Sequence, residues 1–72
     1  MKKFNVKDLG EKIKYLRKEA GLGQNQLAEY LEVSNASISY WETGKQIPSA
    51  EAIFKLAVFF NVPSDYLLNI DD

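Results

Sequence analysis

The spacing of the apolar residues restricts this chain to helices. Apolar side chains recur every three or four residues along most of its length, and no segment alternates apolar and polar residues as a half-buried strand does. The first stripe runs through Leu9, Ile13, Leu16 and Ala20. It predicts a helix over residues 7–20, ended by Gly21 and Gly23, because glycine readily adopts the left-handed conformation that follows a helix. The predicted fold class is therefore all-α.

The next two helices are predicted to lie close together. Apolar periodicity predicts a second helix over residues 24–31. Ser34 is a good N-cap for a third helix, because its hydroxyl can accept a free backbone N–H of the first turn. At most three residues separate the two helices, which forces them to cross steeply, as in a helix-turn-helix. The side chains predicted to point inward from this pair are Leu27, Ala28, Leu31, Val33, Ile38 and Trp41.

Two more helices complete the predicted bundle. Residues 43–48 form a loop, Ser49 caps a fourth helix, and "NVP" ends it before a fifth helix over residues 64–68. The stripe of the fourth helix contains Ile53, Leu56, Ala57 and Phe60. The prediction is a compact bundle of four to five short helices in one domain over residues 1–72, with a core over residues 6–69 and short tails.

Composition excludes several classes of function. The 72 residues contain no Cys and no His, so disulfides and Cys/His metal sites are excluded. The sequence also has no nucleotide-binding glycine loop and no clustered carboxylates, so we expect neither enzyme activity nor a metal, cofactor or small-molecule ligand. It shows no signal peptide and no apolar stretch long enough to span a membrane, which predicts a cytoplasmic protein.

The net charge of −1 gives no general attraction to nucleic acid, but the charges are unevenly distributed. Residues 1–22 hold seven Lys/Arg against three acids, whereas residues 49–72 hold one Lys against four acids. One end of the chain is basic and the other acidic, an arrangement that solvated helix faces alone could also produce.

The third helix is predicted to present a thin polar face. The residues left on its outer side are Asn35, Ala36, Ser37, Ser39 and Tyr40. A short helix of this kind fits the major groove of B-DNA, which is about 12 Å wide. Asn35 can pair with adenine, a serine hydroxyl can bond to any base, and the methyl group of Ala36 can contact that of thymine.

A family resemblance supports the same interpretation. The stretch "GLGQNQLAEYLEVSNASISYWETGKQIPS" places small, apolar and turn-forming residues at fixed spacing. The residues that carry the match are Ala28, Val33, Ile38, Trp41, Glu42, Gly44 and Pro48. With them, nearly the whole chain resembles the lambda-repressor-like (Cro/CI, xenobiotic-response-element) helix-turn-helix family of transcriptional regulators. The resemblance implies that the helix-turn-helix is formed by helices 2 and 3.

The resemblance also implies roles for individual residues. Base edges would be contacted by Asn35, Ala36, Ser37 and Tyr40. Contacts to the DNA backbone would come from Gln24, Ser39, Lys45 and the backbone amides of Thr43 and Gly44. Arg17 and Glu42 would form a structural salt bridge that orients the third helix. The alternatives are that Gln24 is only solvated, that Ser37 bonds back to its own helix, and that Tyr40 flanks the core.

Two residues depart from the family pattern without excluding the fold. Glu32 stands in the inter-helix turn where glycine is usual, so either it adopts a positive φ at a cost of about 1 kcal/mol or more, or the turn has another shape. Gly23 stands where Ser or Thr commonly caps the second helix, and glycine caps only a few tenths of a kcal/mol less well.

The scarcity of positive charge on the predicted DNA-binding face implies a dimer. That face has one Lys and no Arg, so a lone copy should bind phosphates weakly. A homodimer would place two recognition helices about 34 Å apart on a palindromic site, and the basic residues Lys2, Lys3 and Lys7 could add phosphate contacts. The predicted dimer surface comprises Phe59, Tyr66 and Leu67. The alternative is that the fifth helix folds back over Phe59.

The sequence therefore predicts a DNA-binding regulator. The hypothesis is that the protein is a cytoplasmic homodimer that binds a short palindromic operator in double-stranded DNA. We expect it to act as a repressor and to be related to phage or mobile-element regulators. The alternative is a protein-interaction module with the same fold that does not bind DNA. A third option is that these residues are the DNA-binding portion of a longer regulator.

Overall fold

Five α-helices make up the part of the chain that the computed structural model describes, residues 5–68. They are α1 (Val6–Glu19), α2 (Gln24–Leu31), α3 (Asn35–Thr43), α4 (Ala50–Phe60) and α5 (Ser64–Leu68). The predicted all-α fold is confirmed, and these residues contain no strand. Lys2, Lys3 and residue 69, which the sequence predictions include, lie outside the described residues.

α1 differs from its prediction at its C-terminal end. The side chain of Asn5 caps the helix by accepting the backbone N–H of Asp8 at 3.1 Å. Ala20, predicted to belong to the apolar stripe, is exposed, because it follows the last helical residue and the chain then turns at Gly21 with a φ of 73°. The inner position after Ile13 is taken instead by Arg17, which is buried.

The turn between α2 and α3 bends sharply at Glu32. Its φ of 59° is left-handed, so the first of the two alternatives at this residue is correct. The amide of Glu32 donates to the carbonyl of Glu29 at 3.2 Å, and the amide of Val33 donates to that of Ala28 at 2.9 Å. These hydrogen bonds satisfy the last backbone carbonyls of α2. The turn leads directly to Ser34, the N-cap of α3.

Glu32→Gly is expected to raise the free energy of unfolding by about 0.5–1 kcal/mol. A left-handed conformation costs a non-glycine residue about 1–2 kcal/mol, and the extra freedom of glycine in the unfolded chain cancels only part of that gain. Urea denaturation measures the difference. Glu32→Ala keeps the left-handed strain and should change stability by less than about 0.5 kcal/mol. Equal stabilities of the two variants would contradict strain at this position.

α1 packs closely against the end of α3 at Gly10. This glycine is buried in the interior of α1. A Cβ atom placed on it would overlap the carbonyl oxygen of Trp41 and lie 2.8 Å from that of Glu42. The missing side chain therefore lets the backbone of α1 lie directly against the last turn of α3. This role was not predicted, because a lone glycine in a helical pattern does not show what it faces.

The core is formed by residues from all five helices. Its buried members are Leu9, Ile13, Leu27, Ala28, Leu31, Ile38, Trp41, Ala52, Ile53, Leu56 and Leu67. In α4, Ala57 and Phe60 of the predicted stripe are only half buried, whereas Ala52, which was not predicted, is buried. The apolar residues of α4 extend around more of the helix than its neighbours cover, so part of the stripe stays at the edge of the core.

Candidate nucleic-acid interface

α3 is anchored on one side and open on the other. The predicted surface residues divide into Asn35, Ala36 and Tyr40, which are exposed, and Ser37 and Ser39, which are half buried. The predicted anchors Leu27, Ala28, Ile38 and Trp41 are all buried. Because the anchors sit in the core shared with α1 and α2, the open face is held rigidly relative to the rest of the bundle.

The N-terminus of α3 is fixed by two serines. The hydroxyl of Ser34 accepts the backbone N–H of Ser37 at 3.0 Å, as its prediction as an N-cap requires. The two hydroxyl oxygens also lie 2.9 Å apart and share a hydrogen bond. The alternative considered for Ser37, that its hydroxyl bonds back to its own helix, is therefore observed at the N-cap. A hydroxyl can take part in more than one hydrogen bond, so this contact does not prevent Ser37 from also meeting a base.

A buried network of polar side chains connects α1, α2 and α3. Nε of Arg17 donates to Oε2 of Glu42 at 2.6 Å, and its Nη2 donates to Oε1 at 3.1 Å. The remaining guanidinium nitrogen, Nη1, donates to the carbonyl of Leu22 at 2.8 Å. The structure thus brings Arg17 and Glu42 together in the two-pronged geometry that is strongest for such a pair.

Burial makes this ion pair more than a surface contact. The side chains of Arg17 and Glu42 are only 10% and 3% exposed. The hydrogen bond from Glu42 raises the pKa of Arg17, outweighing the desolvation that lowers it, so the guanidinium stays charged. Within residues 5–68 no buried side-chain nitrogen or oxygen lacks a hydrogen-bond partner. The charges are therefore buried with their partners in place.

Gln24 belongs to the same network, a contact that was not predicted from the sequence. Its Nε2 donates to Oε1 of Glu42 at 3.1 Å, and the side chain is half buried, not simply solvated. The amide nitrogen carries two N–H groups, so one remains available for a phosphate oxygen. Glu42 therefore holds the Gln24 side chain in one orientation. The family resemblance implied that Glu42 pairs with Arg17, but it gave no sign that Gln24 joins them.

The loop after α3 differs from its predicted role. Gly44 ends α3 with a φ of 80°, and its N–H donates to the carbonyl of Trp41 at 3.2 Å. Thr43 is the last residue of the helix, where a backbone N–H bonds to the preceding turn. Its hydroxyl donates to the carbonyl of Ser39 at 2.9 Å. The amide of Gly44 is thus used within the chain, and the predicted phosphate contacts by the backbone amides of Thr43 and Gly44 stay a prediction.

Lys45 remains placed for a backbone contact. Its amide donates to the carbonyl of Tyr40 at 2.8 Å, which fixes the residue beside the end of α3. Its ammonium group lies 5.9 Å from the centre of the Tyr40 ring, within the range of a cation–π interaction. Tyr40 and Lys45 thus form one exposed unit at the edge of the α3 face. Tyr40 is not buried as a core residue would be.

Residues 23–48 contribute little positive charge to this face. Lys45 is the single basic residue of residues 23–48. Glu42 is neutralised by Arg17, whereas Glu29 and Glu32 are exposed. From these residues alone, the affinity of a single copy for DNA would therefore depend on hydrogen bonds and shape more than on charge.

The predicted dimer surface requires a correction. Leu67 is 0% exposed and belongs to the core, so it cannot form part of a surface patch. The short α5 folds back onto the bundle through this residue. Phe59 and Tyr66 stay partly exposed, but Phe59 contacts the ring of Tyr30 in α2, and Tyr66 lies under Lys12 of α1. Phe59 is thus partly covered by Tyr30 of α2.

Most of the chain is similar in sequence to known proteins. The helix-turn-helix family model matches residues 13–67. The chain is 44% identical over 62 residues to the transcriptional activator BcrR of Enterococcus faecalis, covering 86% of this chain and 30% of that protein. It is 36% identical over 64 residues to the transcriptional regulator ImmR of Bacillus subtilis, covering 89% and 50%. The chain thus spans half or less of the length of these relatives.

The fold is also similar to solved structures. The crystal structure of the P22 c2 repressor in complex with a synthetic operator superposes with a TM-score of 0.81 at 35% identity, covering 88% of this chain and 96% of that one. Among residues 5–68, no helix has the length and apolar character that crossing a membrane requires.

Proposed function

The chain belongs to the helix-turn-helix family, and from this membership we propose that it is a sequence-specific transcriptional regulator that binds double-stranded DNA. α3 enters the major groove of a short palindromic operator, and two copies bind as a homodimer. Repression is the working hypothesis. We expect no catalytic activity, and we place the protein in the cytoplasm as one domain over residues 1–72.

The observation that carries this proposal is the construction of α3. Buried Ile38 and Trp41 hold the helix against the core. The amide of Asn35 and the methyl group of Ala36 are exposed on its open face. An asparagine amide matches the donor and acceptor of adenine in the major groove. The P22 c2 repressor, whose structure superposes on this chain, is bound to an operator. The same docking would place the α3 face of this protein against base edges.

Contacts to the DNA backbone would fix the position of α3. Gln24 begins α2, where the free amide groups of a helix N-terminus attract phosphate, and its second N–H is available. Lys45, which follows the end of α3 and is exposed, would bind a second phosphate. These contacts fix register and orientation, whereas sequence preference would come from Asn35 and its neighbours.

Selection of bound duplexes from a random DNA pool tests the proposal, first at low and then at physiological salt. We expect enrichment of a palindrome whose half-sites are centred about one helical turn apart. Affinity should fall steeply as salt rises, because basic residues that contact phosphates release counterions from the DNA. If no sequence is enriched at either salt concentration, the proposal is wrong.

Asn35→Ala and Lys45→Ala are expected to have different effects on binding. Loss of a base contact should relax the preference at one position and cost about 1–3 kcal/mol on the best operator. Loss of a phosphate contact should weaken all duplexes about equally and reduce the salt slope by about one. Competition binding against single-base variants of the selected site measures both. Tyr15→Ala changes an exposed residue of α1 that is not among the proposed DNA contacts, and it serves as a control that should keep the wild-type preference.

A second candidate function is supported by the low positive charge and by the apolar surface of α4. In this alternative the chain is a protein-interaction module that does not bind DNA. Phe54 and Val58, both largely exposed, would then be its contact surface. Binding that is insensitive to salt, together with a failed DNA selection, would favour this function.

A further inference from the structure

α1 carries a row of lysines along one exposed side. Lys7, Lys14 and Lys18 lie at i, i+7 and i+11, and all three are exposed. At about 100° per residue they fall within about 40° of one another around the helix, and they span about 16 Å along its axis. Among residues 5–68 the ion pairs of α1 are made by Lys12 and Arg17, so no carboxylate neutralises these three lysines. We name them the α1 lysine row.

The N-terminal end of the row lies beside the end of α3. Cγ of Lys7 is 3.3 Å from the position that a Cβ atom on Gly44 would occupy, and Gly44 is followed directly by Lys45. Lys14 comes one turn after Gly10, which packs against backbone carbonyls of α3. Helical spacing puts Lys14 about 40° around α1 from Gly10, on the side away from the core residues of this helix. The row therefore borders the contact between α1 and α3.

The C-terminal end of the row lies near the start of α2. Lys18 directly follows Arg17, whose guanidinium donates to the carboxylate of Glu42. The same carboxylate accepts a hydrogen bond from the side chain of Gln24, the first residue of α2. The row thus runs past the end of α3 from the neighbourhood of Lys45 to that of Gln24, the two residues proposed for contact with the DNA backbone.

The row supplies positive charge where the α3 face has little. Lys45 is the single basic residue of residues 23–48. Glu11 is exposed at the edge of the row, so three lysines and one glutamate leave a net charge of +2. The other acids of α1, Asp8 and Glu19, lie about 80° or more from the row around the helix. A line of positive charges of this length suits a ligand with repeated negative charges, and a DNA strand carries one phosphate per about 3.4 Å of helix axis.

We propose that the α1 lysine row binds the sugar-phosphate backbone of the DNA strand that also contacts Lys45 and Gln24. DNA is favoured over an acidic protein because the row adjoins the proposed DNA-binding surface at both of its ends. The inference rests on the proposed function, since it adds contacts to the same site. Of the three lysines, the sequence led us to expect a phosphate contact from Lys7 only.

The row has a separate role from that of α3. Contacts to the backbone carry no sequence information, so the row contributes affinity and salt dependence, whereas the choice of operator is left to the base contacts of α3. Variants of the row should therefore weaken binding to every duplex by about the same factor.

The salt dependence of DNA affinity tests the row directly. Fluorescence anisotropy with the selected operator, and with a duplex of random sequence, gives the slope of log affinity against log salt concentration. Lys14→Gln removes one phosphate contact and should reduce the magnitude of this slope by about 0.9 on both duplexes. Lys12→Gln is the matched control, because it removes the same charge from the same helix. Lys12 lies about 120° or more from the row and donates to the carbonyl of Tyr66 at 2.9 Å, so its substitution should leave the slope unchanged.

The triple variant Lys7→Gln/Lys14→Gln/Lys18→Gln measures the whole row. Raising the salt concentration from about 50 to about 200 mM should weaken the wild type on the order of fortyfold more than this variant, because three contacts that release counterions are absent. The variant should still prefer the same operator sequence, and circular dichroism verifies that it remains folded. A slope equal to that of the wild type would overturn the proposal.

Acetylation of lysines by a small reagent gives a second test that needs no substitution. Mass spectrometry compares the acetylation of each lysine with and without a saturating amount of DNA. The three lysines of the row should be acetylated several-fold more slowly in the complex. Lys55, which donates to the carbonyl of Leu31, should react at the same rate in both states. Unchanged acetylation of the row in the complex would contradict the proposed contact.

The two duplexes separate failure of this inference from failure of the proposed function. If an operator is selected but variants of the row keep the wild-type slope, only the inference is wrong. If no sequence is selected but random-sequence DNA is bound with a slope that depends on the row, only sequence-specific regulation is wrong. If neither duplex is bound, both are wrong.

Discussion

Arg17→Met is expected to lower the free energy of unfolding by about 3–5 kcal/mol, a large share of the stability of so small a domain. The substitution removes the guanidinium but leaves the carboxylate of Glu42, 3% exposed, hydrogen-bonded among residues 5–68 by the side-chain amide of Gln24 alone. A buried charge without its counter-charge is costly, since the interior cannot replace its hydration. The carbonyl of Leu22 loses its donor as well.

The double variant Arg17→Met/Glu42→Leu should recover most of that loss. Apolar residues of similar volume can replace a buried ion pair with little change in stability, because the desolvation cost of both charges disappears with their attraction. Urea denaturation of the single and double variants gives the coupling free energy. Lys18→Met changes an exposed neighbour in α1 and should shift stability by no more than about 0.5 kcal/mol. Equal losses in the single and double variants would contradict this account of the network.

The same double variant separates folding from the positioning of Gln24. Without the carboxylate of Glu42, the Gln24 amide has no acceptor to hold it. The protein should remain folded but bind its operator roughly two- to tenfold more weakly, because the side chain must be ordered on binding. Operator affinity of the folded double variant measures this effect. Wild-type affinity would mean that Glu42 stabilises the fold without orienting the phosphate contact.

Gly10→Ala is expected to destabilise the protein by about 2–4 kcal/mol. Alanine normally stabilises the interior of a helix by about 1 kcal/mol relative to glycine, so the sign at this position is reversed. The added methyl group would meet the carbonyl oxygens of Trp41 and Glu42, which belong to the backbone of α3 and cannot rotate away. α1 and α3 would have to separate, which also opens the packing around the core between them.

Thermal unfolding measures the effect of Gly10→Ala, for which we expect a fall in Tm of roughly 10–25 °C. Gly21→Ala is the matched control: a Cβ there has no neighbour within 4 Å, but φ is 73°, so only backbone strain of about 1 kcal/mol should appear. A larger loss at Gly21 than at Gly10 would show that backbone strain, not the contact between α1 and α3, limits stability.

The helices and the exposed face of α3 could be predicted because their causes are local. The predicted bounds of α2 and α5 match the structure, and Ser34 and Ser49 cap the helices as expected. A cap or an apolar stripe depends on residues within one or two turns, and these are visible in the sequence. The ion pair of Arg17 with Glu42 was expected from the resemblance to a family and not from the spacing of the residues.

Contacts between distant segments were not predictable from local pattern. Gly10 meets the end of α3, the amide of Gln24 is held by Glu42, and Leu67 closes the core, each through residues far away in the sequence. The dimer surface was predicted wrongly because the pattern of α4 and α5 shows which residues are apolar but not which of them a neighbouring helix covers.

The sequence by itself determined the helices, their caps and the polar face of α3, since these follow from short-range geometry. Only the tertiary structure decided which charges are buried, which glycine has no room for a side chain, and which apolar side of α4 remains open, because those outcomes depend on how the helices pack against one another.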